Sequence, residues 1–567
     1  MKKIKVTLII LLSLVSVAAL AWCVLYYLVW PKPEILGLVP KTPLFFIAAS
    51  DLDETLSASR TSEFVSRVAR SPLWGDFKSS ELWRQLRLQK RIWERQMGLA
   101  IDPEDPDGVI QLVEKDAILA FYGGQRPWSF LLISQVGLTT RMNIMSRSTK
   151  RMLAARHEFV EEEYRGIELM TVAEPEWKFS YGFIGRAGLL STDKSLLKEV
   201  VDLYRGSRQG LAATPEFKEL VVDLPASDTS FYINVAKIRD VAEPIRASLL
   251  RANAEMDSQL RHLMSVAQRI DALAAVGFHE HGNLMLDARW SVAPLYTPRR
   301  AGGTGVRESR IQNPESRIQN FAPANCLFFM LYGTLKPDTL FEMLKAVVGS
   351  DLDVVRDKLL PALGSGTAVA VLEPNIEELQ LLPPVMSFFW VRDRVAAQTA
   401  LEGLKSSLKV GRRQLEFVEI KYEGIAINYA RLPIGMGMSI DIGYTLIGDD
   451  LLVVATDTSA LRAAIDVALS KRQSLIESEQ YANVLTPIAE AADGRIFMNI
   501  RSAATMTKQA ARLYAWRAKL AGQHQAERIA TMLYQNAFTL EAWHYMGATF
   551  NSDSSKTNVK MMLDSDG

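Results

Sequence analysis

The sequence predicts an α+β protein in which an N-terminal transmembrane helix precedes an internally duplicated domain, each half a mainly antiparallel sheet with packed helices. Three observations predict this: an uncharged apolar run at the N-terminus, segments that recur in the same order in the second half, and strand-like segments grouped ahead of helical ones. With 567 residues, of which 48% are hydrophobic and 23% charged, the chain can bury a large core.

The N-terminal run predicts a membrane anchor. Residues 6–30 carry no charge, and the run is longer than the roughly 20 helical residues that span a bilayer core. Lys2, Lys3 and Lys5 precede it and place the tail, residues 1–5, in the cytoplasm by the positive-inside rule. Pro31 then ends the helix. We therefore expect a single-pass protein of the inner (cytoplasmic) membrane, with the bulk of the chain in the periplasm or its equivalent.

Two other interpretations of this segment stay open. The small residues of Ala19-Leu20-Ala21 resemble the site of a cleaved signal peptide, but the apolar stretch continues past them to Trp30. Cys23 would suit a lipoprotein, but Trp22 stands where a small residue should precede the lipidated cysteine. An uncleaved anchor explains more of the run than either alternative.

The region after the anchor is predicted to hold two repeat domains, residues 36–295 and 321–567, joined by a Gly/Arg-rich linker over residues 296–320. The recurring pairs are "VPKTPLFFIAAS" and "APANCLFFMLYG", "YRGIEL" and "YEGIAI", "LLSTDKSLLKEVVDL" and "VVATDTSALRAAIDV", "FYINV" and "IFMNI", and, more loosely, "GFHEHGNLMLD" and "AWHYMGATF" with "MMLD". The linker contains "ESRIQN" twice, on either side of Pro314, which favours a small duplication in a tolerant loop over a ligand motif.

Each half shows the same series of elements. The apolar run "PLFFIAAS", bounded by turn residues, predicts a buried strand, and further alternating runs predict a meander. Asp193 and Asp457 then offer N-cap oxygens to a helix with leucines and valines at helical spacing. A strand around Tyr232 or Phe497 follows, then a long amphipathic helical stretch and closing strands. Helices are interspersed and do not alternate strictly with strands, which favours antiparallel over parallel sheet.

Charge and cysteine content exclude several classes. Lys and Arg number 65 against 64 Asp and Glu, so the net charge of +1 lacks the positive excess that a phosphate-tracking protein needs, and no nucleic acid is expected. The two cysteines, Cys23 and Cys326, cannot build a disulfide framework or a cysteine-rich metal site. No nucleotide loop, nucleophile elbow or zinc-protease motif occurs, and "GMGM" from Gly435 lacks the third glycine of a dinucleotide site. We therefore expect no cofactor.

Three polar segments could carry chemistry, but each has a simpler explanation. His279-Glu280-His281 places two imidazoles on one face of a strand, but the second half keeps only His544, so structural or surface histidines are favoured. "DPEDPDG" from Asp102 resembles a calcium loop, but Pro103 stands at its first ligand position, which favours a solvated turn. The charge run Glu161–Glu163 is typical of a solvated face. The sequence therefore predicts no catalytic residue and no metal ligand.

One basic stripe is a candidate membrane-surface contact. Arg84, Arg87, Arg91 and Arg95 share one helical face at spacings typical of a helix, with tryptophans nearby. Such a helix can rest on anionic headgroups, and the anchor would already hold it near a bilayer. The alternative is a solvated face whose arginines pair with acids elsewhere.

The anchor followed by "VPKTPLFFIAASDL", the "YRGIEL" turn and the "STDKSLLKEVVD" strand-to-helix step resemble a bacterial family known only as a domain of unknown function (DUF3352). The resemblance implies a single-pass envelope protein without assigned activity, and it supplies no catalytic residues.

The function expected from the sequence is a non-enzymatic, membrane-tethered periplasmic protein, a binding or scaffold protein of the bacterial envelope. Its partners would be the inner membrane, through the N-terminal helix, and envelope proteins or lipid. The alternative is a carrier of lipid or another apolar ligand in a cleft between the two halves, since Met and aromatic residues are abundant. A hydrolase with a site assembled from scattered residues is the third hypothesis.

Overall fold

The fold is that of a computed structural model, which describes residues 32–50, 63–79, 116–123, 129–173, 178–221, 224, 229–240, 270–280, 283–292, 314–332, 355–374, 383–407, 409–410, 413–435, 438–488, 492–520, 522–552 and 556–565. The chain divides into two compact units. Unit 1 comprises Met1–Ser66, Gly75–Phe278 and Asp287–Tyr296, and unit 2 comprises Arg67–Trp74, His279–Leu286 and Thr297–Gly567.

The strands and helices before the second repeat are, in chain order, β1 (Phe45–Ala49), α1 (Glu63–Arg70), α2 (Pro72–Ser79), β2 (Ala117–Tyr122), β3 (Ser129–Gln135), α3 (Leu138–Met145), α4 (Arg147–Arg156), β4 (Glu158–Tyr164), β5 (Ile167–Ala173), β6 (Lys178–Ile184), β7 (Ala187–Ser191), α5 (Lys194–Tyr204), α6 (Pro215–Val221), β8 (Thr229–Ile233), β9 (Ile270–Glu280) and β10 (Asn283–Val292). Short 3₁₀ helices cover Ile35–Leu38 and Leu211–Ala213.

The second series comprises β11 (Cys326–Tyr332), β12 (Leu363–Leu372), β13 (Val385–Val391), α7 (Arg394–Ser407), β14 (Lys409–Val410), β15 (Arg413–Gln414), β16 (Val418–Tyr422), β17 (Ile425–Gly435), β18 (Met438–Ile447), β19 (Leu451–Ala455), α8 (Thr458–Ala468), α9 (Glu479–Leu485), β20 (Gly494–Asn499), α10 (Ile500–Leu520), α11 (His524–Asn536), β21 (Trp543–Ser552) and β22 (Lys556–Ser565). A π-helical turn covers Val355–Leu359, and 3₁₀ helices cover Pro314–Phe321, Leu360–Ala362, Leu475–Glu477 and Ala537–Ala542.

The same antiparallel pairings occur in both series. β1 pairs with β2 and β8, and β11 pairs in the same way with β12 and β20. The meander β4–β5–β6–β7 has its counterpart in β16–β17–β18–β19. Phe46 stands opposite Ala120 and Tyr232, and Phe329 stands opposite Ala370 and Phe497. This register gives the paired positions of β1 counterparts in β11.

The predicted fold class is wrong. An α+β fold with an N-terminal transmembrane helix and a separate, mainly antiparallel sheet in each half of a duplicated domain was expected. Instead, twenty strands form one continuous sheet, beside the small two-stranded sheet of β14 and β15. Hydrophobic patterning cannot predict this, because the free N–H and C=O groups of a sheet edge accept another edge strand almost regardless of its side chains.

The predicted membrane anchor, residues 6–30, lies outside the described residues. Among the helices of the described ranges, none is both long and apolar enough to span a bilayer.

Local signals explain individual elements well. In each meander a tight turn places two residues at positive φ, Arg165 and Gly166 in the first and Glu423 and Gly424 in the second, as a two-residue hairpin requires. The tyrosine before each turn donates a hydrogen bond to a helix carboxylate, Tyr164 to Asp202 at 3.1 Å in unit 1. In unit 2 the equivalent bond joins Tyr422 to Asp466 at 3.0 Å, so both meanders are tied to their helices in the same way.

Both predicted helix caps are confirmed. The Asp193 carboxylate accepts from the Ser195 amide at 2.8 Å, and the Asp457 carboxylate accepts from the Ser459 amide at 2.7 Å. We expect Asp193→Ala and Asp457→Ala each to lower the free energy of unfolding by about 1 kcal/mol, since an orphan helix amide loses its acceptor. Urea unfolding checks this, with Asp→Asn at the same positions as the control because asparagine caps almost as well. Alanine variants that unfold like the parent protein would contradict it.

Candidate functional site: an apolar cavity in unit 1

A cavity of about 580 Å³ lies in unit 1 between one face of the sheet and the helical elements that cover it. The sheet contributes Phe46 and Ala48 from β1, Ile118 from β2 and Val276 from β9. Phe217 of α6 and the 3₁₀ helix Ile35–Leu38 form the opposite wall. The lining is therefore mostly apolar, as in ligand pockets generally.

Two aromatic residues of the lining, Phe46 and Phe217, pack against each other and against the neighbouring Tyr232. The Phe46 ring lies 5.6 Å from the Tyr232 ring and 6.1 Å from the Phe217 ring, between centroids. Phe217 and Tyr232 meet edge to face at 5.3 Å. All three side chains are less than 5% exposed, so this end of the cavity has a rigid base.

In unit 2, larger side chains stand at the positions that correspond to the cavity lining of unit 1. The register aligns Ala48 with Leu331 and Ser230 with Arg495. Leu331 is 6% exposed, so a larger side chain occupies the space that Ala48 leaves. The cavity of unit 1 therefore arises where two side chains are shorter than their counterparts.

A polar cluster also lies at the position in unit 2 that corresponds to the cavity. The Tyr481 hydroxyl donates to Gln319 Oε1 at 3.1 Å, and Arg495 Nη1 donates to the same oxygen at 3.3 Å. Gln319 belongs to the second "ESRIQN" copy, within the 3₁₀ helix Pro314–Phe321. By sequence position, Leu36 and Phe217 stand in unit 1 where Gln319 and Tyr481 stand in unit 2. The same fold thus surrounds a satisfied polar cluster in one unit and an apolar space in the other.

The edge of the cavity is polar. Lys32 Nζ lies 3.1 Å from Asp116 Oδ2, and Glu34, Ser50 and Gln135 also belong to the lining. The Lys32 side chain is 46% exposed, so this pair contributes little to stability. The Lys32–Asp116 pair could instead orient a ligand, because a molecule with an apolar body could place its polar end beside the pair.

The described lining holds few ionisable groups. Among its described residues there is no histidine or cysteine, and the charged groups are Lys32, Glu34 and Asp116 at the edge. Burial, helped by the charge of Glu216, raises the pKa of nearby Tyr232 to about 12, so this phenol stays neutral at physiological pH. Burial likewise raises the pKa of Tyr122. In the described residues, no group of three potential metal ligands is close enough to hold an ion.

The predicted membrane-contact residues Arg84, Arg87, Arg91 and Arg95 lie outside the described residues, as do "DPEDPDG" and His281. His279 and Glu280 belong to the backbone of β9.

Two glutamates of β4, Glu161 and Glu162, form ion pairs. Glu162 contacts Lys194 and, at 2.6 Å, Lys198, and these ammonium groups lower its pKa to about 2. Glu161 lies 3.4 Å from Lys150. These carboxylates belong to surface ion pairs, which do not provide a general base.

Sequence reasoning missed the cavity, although one signal was present. Aligning "PLFFIAAS" with "CLFFMLYG" places Ala48 against Leu331 and Ala49 against Tyr332. Both alanines are half-buried, and two small residues against two large ones in a repeated strand indicate lost volume. The alignment does not show the opposite wall of the cavity, because other segments of the chain form that wall.

Comparison with known proteins gives a match to a family model over part of the chain, and no activity. Residues 347–539 match the family described as "Protein of unknown function (DUF3352)", which confirms the resemblance drawn from the sequence. No curated protein matches the chain. Structures of crystal forms III and I of TP0453 are similar at a TM-score of 0.23, with 10% and 12% identity. They cover 47% and 46% of this chain, and 83% and 79% of their own chains. A TM-score of 0.23 does not show a shared fold.

Proposed function

We propose that this chain, which carries a match to a family of unknown function, is a non-enzymatic binding protein whose ligand is an apolar or amphipathic small molecule held in the cavity of unit 1. The supporting observation is the cavity itself. Its volume falls in the range of about 300–1,000 Å³ typical of small-molecule sites, and it combines apolar walls with a few polar groups at one edge.

The difference between the units supports a functional origin. A fold that accommodates Leu331, Arg495 and Gln319 in unit 2 could fill the same place in unit 1 with similar residues. Water against the half-buried lining residues Ile35, Leu36 and Ala48 has an unfavourable free energy of about 25 cal/mol for each Å² of apolar surface left exposed. A bound apolar molecule would remove that cost.

A location in the bacterial envelope also remains a proposal. It follows from the basic tail and uncharged run of residues 1–30, which favour the inner membrane with the bulk of the chain outside the cytoplasm. Lipid-like ligands would be available to the protein at that membrane. Envelope proteins remain alternative partners, and crosslinking in cells would identify them.

The test transfers the filling residues of unit 2 into unit 1. We expect Leu36→Gln/Ala48→Leu/Ser230→Arg to abolish binding of an apolar fluorescent probe such as N-phenyl-1-naphthylamine, and to remove any lipid seen by native mass spectrometry of the detergent-extracted full chain. Ala154→Leu is the control, because it makes a similar apolar addition at an exposed site of α4. Thermal unfolding would verify that both variants remain folded. Probe binding equal in the triple variant and the parent protein would refute the proposal.

A further inference from the structure

The helix pair of unit 2, formed by α10 and α11, exposes large apolar side chains to an unusual degree. On α10, Trp516 is 58% exposed and Leu520 69% exposed. On α11, Ile529 is 51% exposed and Leu533 49% exposed, with Met532 at 41%. Single exposed apolar residues are normal on a soluble surface, but a series on neighbouring helices marks an interaction site.

The exposed residues follow helical spacing on each helix. Trp516 and Leu520 are four residues apart, and Ile529 lies three and four residues before Met532 and Leu533. The buried positions of the same two helices are mainly alanines, namely Ala504, Ala511, Ala518 and Ala530. Each helix therefore packs inward through small side chains and carries its large apolar residues outward, the reverse of a helix that faces only water.

The first of these helices, α10, is strongly basic. α10 carries Arg501, Lys508, Arg512, Arg517 and Lys519 and no acidic residue, and α11 carries Arg528 beside a single acid, Glu527. Lys508 pairs with Glu541. In the described part of the chain, Arg512, Arg517, Lys519 and Arg528 form no ion pair. A chain with a net charge of only +1 thus concentrates positive charge around its exposed apolar residues.

We infer that the α10–α11 pair rests on the surface of an anionic lipid bilayer. Trp favours the level of the headgroups, where Trp516 would place an apolar ring and a polar N–H together. Leu520, Ile529 and Leu533 would enter the acyl boundary, and the basic residues would contact anionic headgroups. A second copy of this surface would instead bring like charges together, which disfavours self-association.

The α10–α11 surface shares no residue with the lining of the proposed ligand cavity. A protein tethered nearby would use it to fix its orientation on the bilayer.

The test uses the full chain reconstituted into vesicles, with an environment-sensitive fluorophore on Leu533→Cys. Val395→Cys on α7 is the matched control, because Val395 is 76% exposed and apolar but lies outside the helix pair. Both are made with Cys23→Ser. Cys326 is 1% exposed, and burial raises the pKa of its thiol, so it resists labelling.

With brominated lipids in vesicles of phosphatidylcholine and phosphatidylglycerol, we expect quenching of the label at position 533 and little at position 395. Pure phosphatidylcholine should give much less quenching at 533. Arg512→Glu/Arg517→Glu/Lys519→Glu should reduce the quenched fraction at least about tenfold, since each basic residue contributes to attraction by anionic headgroups.

Equal quenching at both positions would overturn the inference. Quenching at position 533 that depends neither on phosphatidylglycerol nor on the charge reversals would also overturn it. A label at 533 that is shielded only at high protein concentration and is not quenched by brominated lipid would also overturn it, in favour of self-association. Probe binding in the cavity, measured on the same charge-reversal variant, should remain unchanged.

Discussion

Replacing Phe329 with alanine is expected to lower the free energy of unfolding by about 3–5 kcal/mol, because a fully buried aromatic ring leaves a cavity that its neighbours cannot close. Phe329 is 0% exposed and stands on β11 opposite Ala370 and Phe497. Phe497 in turn contacts Tyr481, with ring centroids 5.7 Å apart. Removing the Phe329 ring therefore loosens the sheet and the helix that covers it. Urea and thermal unfolding of the full chain would measure the loss.

Two comparisons sharpen this prediction. Phe46→Ala, the equivalent change in unit 1, should cost a similar amount, since Phe46 is 3% exposed and its ring packs against Phe217 and Tyr232. Val395→Ala should change stability by less than about 0.5 kcal/mol, because Val395 is 76% exposed. The prediction is wrong if Phe329→Ala unfolds no more easily than Val395→Ala.

Gly547→Ala is expected to destabilise the protein by about 1–3 kcal/mol through overpacking. A methyl group on Gly547 would lie 2.4 Å from the carbonyl oxygen of Val484 and 2.8 Å from its carbon, so the backbone of α9 must move. Such a movement cannot be absorbed by rotating a side chain. The change is a single methyl group, and its effect reports how closely α9 approaches β21.

The controls for Gly547→Ala come from the same chain. In unit 1 the equivalent residue, opposite Tyr232, is Ala274, which is 1% exposed, so alanine itself is compatible with this strand position. Gly75→Ala in α2 meets no atom within 4 Å and should be neutral or stabilising by up to about 1 kcal/mol, since alanine favours a helix. If Gly547→Ala proves as stable as Gly75→Ala in thermal unfolding, the prediction that α9 approaches β21 closely is wrong.

Features that depend on neighbouring residues could be predicted from the sequence. The strand over Phe45–Ala49 and its counterpart over Cys326–Tyr332 follow from short apolar runs bounded by turn residues. The caps Asp193 and Asp457 follow from an acidic residue before helical spacing. The long helical stretch after β20 is observed as α10 and α11. These elements follow from local backbone and side-chain chemistry, which the sequence states directly.

Features that depend on residues far apart in the chain could not be predicted from the sequence. The cavity needs Ala48, Phe217 and Val276 to meet, and these positions lie on elements far apart in the chain. The exposed face of α10 and α11 was equally hidden, because an amphipathic pattern shows that a helix has two faces but not which of them packs inward. Here the alanines pack and Trp516 and Leu520 remain outside.

The sequence by itself determined the local elements, their caps and turns, and the resemblance to a family without assigned activity, because each rests on residues close together in the chain. Only the tertiary structure decided that twenty strands share one sheet, that unit 1 has an apolar cavity where unit 2 has larger side chains, and which helix faces meet solvent. Those outcomes depend on edge hydrogen bonds and on volumes contributed by remote segments, and neither leaves a periodic signal in the sequence.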